Sequence, residues 1–149
     1  MAIMTASEVR LYLRTISGTG EDTTIDTLIA RADEAFAEYI GIPAADVGGS
    51  ATLEDVSHTL HLDGTGTQEL RLPFFPVQSI TTLHDSEDRS YGSADLVPAS
   101  DYELFGNEGL IRLKDESGHG AFSTVRRAIK VVAVVGFTSV PDSIKHAVG

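Results

Sequence analysis

The side chains able to do chemistry in this sequence are histidines and carboxylates, and their spacing limits what they can do. Histidines stand at His58, His61, His84, His119 and His146. His58 and His61 are three apart in a segment that reads as a strand, so they point to opposite faces and cannot share one metal without a bulge. Asp85, Glu87 and Asp88 form the densest carboxylate group, with Asp101, Glu103 and Glu108 downstream. Carboxylates held in a cleft at fixed separation can hydrolyse glycosidic bonds. Such sites use apolar walls to raise one pKa, whereas this group sits in a polar stretch with one tyrosine. Asp63-x-Thr65-x-Thr67-x-Glu69 places oxygens at alternate positions but lacks the run of carboxylates of a calcium loop. Ser17-Gly18-Thr19-Gly20 is glycine-rich, yet a helix precedes it where a phosphate cradle needs a strand. No serine sits in a hydrolase elbow, and there is no cysteine nucleophile. The residues therefore predict no enzyme, no metal and no cofactor.

Composition narrows the classes further. The chain has 149 residues, 22 acidic and 11 basic, for a net charge of −11, with no cysteine and no tryptophan. Disulfide frameworks, thiolate zinc sites and iron–sulfur clusters are excluded. The longest apolar run, Val131–Gly136, is far short of the ~20 residues that cross a bilayer. The start lacks the basic flank and apolar stretch of a leader, so synthesis in the cytosol and no membrane contact are expected. An acidic balance argues against gripping nucleic acid by its phosphates. Charge is unevenly spread along the chain. Residues 1–108 hold 19 acids against 5 bases, a net of −14, and residues 109–149 hold 3 acids against 6 bases, a net of +3. Beside the plain reading of a solvated acidic surface, this suggests a polar molecule that stacks acidic region against basic end.

The elements that must position these residues follow from local pattern. Thr5-Ala6-Ser7-Glu8 fits a capping box opening a short helix that ends near Arg14, with Val9, Leu11, Leu13 and Ile16 as apolar contacts. Asp22 starts a second helix whose stripe is Ile25, Leu28, Ile29, Ala32, Phe36, Tyr39 and Ile40. Asp26, Asp33, Glu34 and Glu38 populate its other sides. Gly41 suits a left-handed C-cap and Pro43 prevents continuation. After a linker over 44–52 the period changes to that of strands. Val56, Leu60 and Leu62 share one face. Asp63-Gly64-Thr65-Gly66 reads as a hairpin turn into a return strand carrying Leu70 and Leu72. Val77–His84 predicts a third strand, Asp85–Pro98 a long polar excursion, and Tyr102–Phe105 with Leu110–Leu113 a second hairpin. Ile129–Val135 is apolar on both faces, which predicts a central strand. Pro141 begins a last helix over Asp142–Val148. Helices and strands are segregated, so the fold class is α+β: an N-terminal helical hairpin, an antiparallel β-subdomain of about six short strands, and the start of a C-terminal helix.

The succession of elements carries a resemblance. It runs through Thr5–Arg14, the helix from Glu21-Asp22 to Tyr39-Ile40-Gly41, and Leu70-Arg71-Leu72-Pro73-Phe74-Phe75-Pro76-Val77-Gln78-Ser79-Ile80. It continues through Asp101-Tyr102-Glu103-Leu104, Gly109-Leu110-Ile111-Arg112-Leu113, and Val131–Phe137 leading to Val140-Pro141-Asp142-Ser143-Ile144-Lys145-His146-Ala147. This resembles the head–tail connector, adaptor or head-completion proteins of long-tailed bacteriophages and phage-like particles, over essentially the whole chain. The resemblance implies a single connector domain over 1–149, with a helical part at 1–43, a β-rich part at 51–136 and the helix start at 141–149. It implies a virion protein at the head–tail interface, in a homo-oligomeric ring of about a dozen copies beneath the portal protein. The ring would extend the DNA channel and offer a platform to a stopper or tail-completion protein. In the family the closing helix continues into a tail that docks on the portal; in this sequence the helix begins at Asp142 and Gly149 is the last residue.

Electrostatics agrees with that role. A duplex carries one charge per ~1.7 Å of axis and would be trapped by a wall of Lys and Arg, while an acidic wall repels it within about 8 Å at physiological salt. DNA would pass without specific binding. Channel-facing candidates are Asp26, Asp33, Glu34, Glu38, Asp85, Glu87 and Asp88. Candidates for contact with portal or neighbour are Arg126, Arg127, Lys130, Ile144, Lys145 and His146. Two other readings compete: a small β-rich module binding a peptide or sugar, which needs a concave aromatic patch, and a hydrolase using Asp85 or Glu87, which needs a buried carboxyl of raised pKa.

Overall fold

A computed structural model describes residues 4–13, 22–46 and 48–148. The chain forms two compact units, residues 1–55 with 137–149, and residues 56–136.

The first unit is helical. Helix α1 spans Ala6–Leu13. Its capping box closes as the sequence predicts: the Thr5 N–H donates to Glu8 Oε2 at 2.7 Å and the Glu8 N–H to Thr5 Oγ1 at 3.2 Å. Leu11 is 76% exposed, so it supplies no core contact, contrary to expectation. Ile16 and the turn Ser17–Gly20 lie outside the described residues. Helix α2 spans Asp22–Ile40, and Asp22 pairs with Arg10 of α1. Ala37 accepts from Ile42 N–H at 2.9 Å and Glu38 from Gly41 N–H at 3.1 Å. With Gly41 at φ +88° this is a Schellman cap.

The apolar stripe of α2 is displaced from the predicted one. Ile25, Ile29, Asp33 and Ala37 are buried, while Leu28 and Tyr39 are 58% and 88% exposed. Asp33 therefore does not stand on a polar side. Its Oδ2 accepts the Thr52 hydroxyl at 2.6 Å and its Oδ1 the Leu53 N–H at 3.0 Å. These bonds tie the segment after α2 back to the helix, and Leu53 and Ala51 join the core with Met4, Ile42 and Val140. The Leu53 carbonyl also accepts Phe137 N–H at 2.8 Å. Helix α3 spans Asp142–Val148 just after Pro141.

The second unit holds the strands β1 (Val56–Leu62), β2 (Glu69–Arg71), β3 (Val77–Asp85), β4 (Tyr102–Phe105), β5 (Leu110–Leu113) and β6 (Ile129–Val135). They form two antiparallel three-stranded sheets, ordered β1-β6-β3 and β2-β5-β4. β6 is central, as its apolar run predicts, with Leu60 opposite Val131 on one side and Ile80 opposite Ala133 on the other. Its Ile129, Val131, Ala133 and Val135 are fully buried, beside Leu83. β3 meets it through two register shifts, after Val77 and after Ile80. β4 and β5 form the predicted hairpin, pairing Phe105 with Leu110.

The other predicted hairpin does not form, because β1 and β2 belong to different sheets. The amides of Asp63–Gly66 pair with a distant loop instead: Gly64 N–H reaches Val125 O at 3.0 Å and Gly66 N–H reaches Ser123 O at 3.2 Å. A Cβ on Gly64 would lie 1.9 Å from Ser123 O, so only glycine admits this approach. The excursion after β3 folds back too: Ser86 N–H donates to Ala128 O and Val97 N–H to Leu83 O, both at 2.8 Å. By contrast, the loop at 114–121 stands open, and a Cβ on Gly118 or Gly120 would meet nothing within 4 Å.

Candidate functional site

Asp85, Glu87 and Asp88 converge at the end of β3, where chain reversal is held by short polar side chains. Asp88 Oδ1 accepts the Ser86 hydroxyl at 2.8 Å and the Ser90 N–H at 3.0 Å. The Ser90 amide, then the Ser86 hydroxyl, hold the Asp88 carboxyl down at about 2. Asp95 braces the far side of the loop, accepting from Gly92 N–H and the Ser90 hydroxyl, each at 3.1 Å. Asp85 Oδ2 accepts Ser123 N–H at 2.9 Å. Asp85, Glu87, Asp88, Asp95, Ser123 and His119 line an open hollow of about 440 Å³. Among the described residues no three His, Asp or Glu side chains are grouped to hold a metal ion.

The predicted basic residues Arg126, Arg127 and Lys130 also come together, the two arginines just before β6 and the lysine at its start. The sequence reading missed the residues that organise them. Tyr91 donates its hydroxyl to the Arg127 carbonyl, Arg89 Nε donates to the Arg126 carbonyl at 3.1 Å, and Asp63 Oδ1 accepts Arg127 N–H at 2.9 Å. Lys130 Nζ lies 5.7 Å from the centre of the Tyr91 ring, within cation–π range. His61 packs against the same ring at 5.2 Å. Partial burial, then the charges of Arg127 and Lys130, push its pKa down. Arg89 reads from sequence as one base in an acidic stretch; only the fold-back of 86–97 brings it to Arg126. Acidic hollow and basic cluster thus share the loop 86–92. The charge asymmetry along the chain is not a separation of charge in this unit.

In the helical unit Asp26 and Glu38 are exposed and Glu34 is half-buried. Asp33 presents no carboxylate to a channel, because it is buried with both oxygens bonded. Lys145 pairs with Glu8 at 3.2 Å. The Thr5 amide, then Lys145, lower the Glu8 pKa. Ile144 is half-buried and His146 exposed.

The head completion protein family model matches residues 2–149. The chain belongs to that family. Membership shows the family likeness that the order of elements suggested. Two solved structures share the fold. One is a chain in the virion of a native gene transfer agent particle, at TM-score 0.61 and 21% identity, covering 98% of this chain and 74% of that one. The other is a chain in the neck of an empty gene transfer agent particle computed with C6 symmetry, at TM-score 0.62 and 19% identity, covering 98% and 73%. No curated protein matches.

Proposed function

We propose that the chain is a structural connector subunit at the head–tail interface of a virion, acting by shape and charge and transforming no substrate. Copies close into a ring of about a dozen beneath the portal protein. The ring extends the DNA channel and receives a stopper or tail-completion protein on its other side. The family match over residues 2–149 carries this reading. The fold shared with a chain from a particle neck supports it.

The surface chemistry fits a conduit. Exposed Asp26 and Glu38, on a subunit of net charge −11, give a repeated acidic face that repels phosphates. The hydrolase reading asks for a buried carboxyl with apolar walls, whereas Asp85 is half-buried and Glu87 exposed in an open hollow shared with Asp88, Asp95 and His119. Deleting the gene tests the proposal: filled heads without tails are expected by electron microscopy, with tails restored by supplying the chain in trans. Tailed, infectious particles without it would overturn the role, as would a density map placing the chain away from the portal axis.

A further inference from the structure

Among the described residues the non-glycine positions with left-handed φ are Arg89 at 63°, Tyr91 at 51° and Arg127 at 57°. All three meet at one place. A residue with a Cβ resists this conformation and keeps it only where its surroundings over-determine it. Here they do, through Tyr91 to the Arg127 carbonyl, Arg89 to the Arg126 carbonyl and Asp63 to the Arg127 amide. Each of these bonds ends on backbone, so none neutralises a guanidinium. Ion pairs between described residues include Arg10–Asp22 and Lys145–Glu8, and none of them involves the bases of this cluster. Arg89, Arg126, Arg127 and Lys130 therefore have no described carboxylate within ion-pair distance, in a chain with twice as many acids as bases. Arg89, Arg126 and Arg127 are exposed.

We infer that this cationic knuckle is the surface by which one copy of the chain grips carboxylates of the next copy in the ring; the inference rests on the connector reading above. A heterologous ring places two different patches of the same chain against each other. Subunits of net charge −11 repel, and an unpaired basic patch on one that meets acids on the other offsets that repulsion. A nucleic acid fits the surface less well. Glu87, Asp88 and Asp95 line the adjoining hollow on the same loop, and a phosphate backbone would run against them. A protein surface bearing both signs satisfies knuckle and hollow together.

The test is a density map of assembled particles, combined with the double variant Arg126→Glu/Arg127→Glu supplied to particles lacking the wild-type chain. The map is expected to show Arg126, Arg127 and Lys130 within ion-pair distance of carboxylates of an adjacent copy. The variant is expected to lower the yield of tailed particles by about tenfold or more. Circular dichroism and a thermal melt establish that the variant is folded, and Arg126→Gln, which removes one charge from an exposed side chain, should give a smaller loss of the same kind. A ring whose knuckle faces solvent, portal or DNA would overturn the inference and leave the connector role standing. So would normal yield from the folded double variant, or duplex binding by the purified chain that the variant abolishes. Particles without any ring of this chain would instead sink the connector reading.

Discussion

Asp33 shows how a charged residue becomes structural. Its two oxygens serve one hydroxyl and one buried amide from the segment after α2. Removing an acceptor from a buried amide costs the desolvation of that group as well as the bond. Asp33→Ala is therefore expected to destabilise the protein by about 3 kcal/mol, read as a lower urea midpoint at unchanged slope. Glu34→Ala, one position on, should stay within about 0.5 kcal/mol. Asp88 makes a different prediction. Its folded value of about 2 lies below the ordinary 3.8. The ionised form is the one that braces the loop, so the bracing is complete above the ordinary value and is lost as pH falls through about 2. The Ser90 amide resonance should titrate with a midpoint near that value and stop doing so in Asp88→Asn.

Elements were legible where their signals are local. The second helix announces its start and its Gly41 stop within twenty or so residues, and its Schellman cap needs nothing from elsewhere. β6 reads as central because both its faces are apolar. The turn at Asp63–Gly66 misleads because its glycines do suit a hairpin, while their actual partners, Ser123 and Val125, lie far along the chain. Nothing local says that a glycine is present for close approach rather than for a turn. Asp33 is a subtler case. Its place four residues from both Ile29 and Ala37 sets it on the buried line, but its charge outweighed its position. The knuckle was half legible: Arg126, Arg127 and Lys130 are adjacent in sequence, whereas Arg89 and Tyr91 join them only through the fold-back. The close approach at Gly64 is testable. Gly64→Ala forces a Cβ to within 1.9 Å of Ser123 O, so a loss of about 2–3 kcal/mol is expected in thermal or urea melts, against less than about 0.5 kcal/mol for Gly118→Ala in open space.

For the whole molecule the net charge of −11 governs association. Like charges resist ring closure until apolar burial and cross-subunit pairs offset them. The purified chain is expected to be a monomer by light scattering at physiological salt, with the ring templated by the portal; a stable free ring would contradict that. The open loop around Gly118 and Gly120 offers a practical opportunity. The polypeptide contains no cysteine, so Gly118→Cys would introduce a unique thiol where added atoms meet nothing. A single fluorophore attached there would illuminate each particle once per subunit, and stepwise photobleaching would then report the stoichiometry directly.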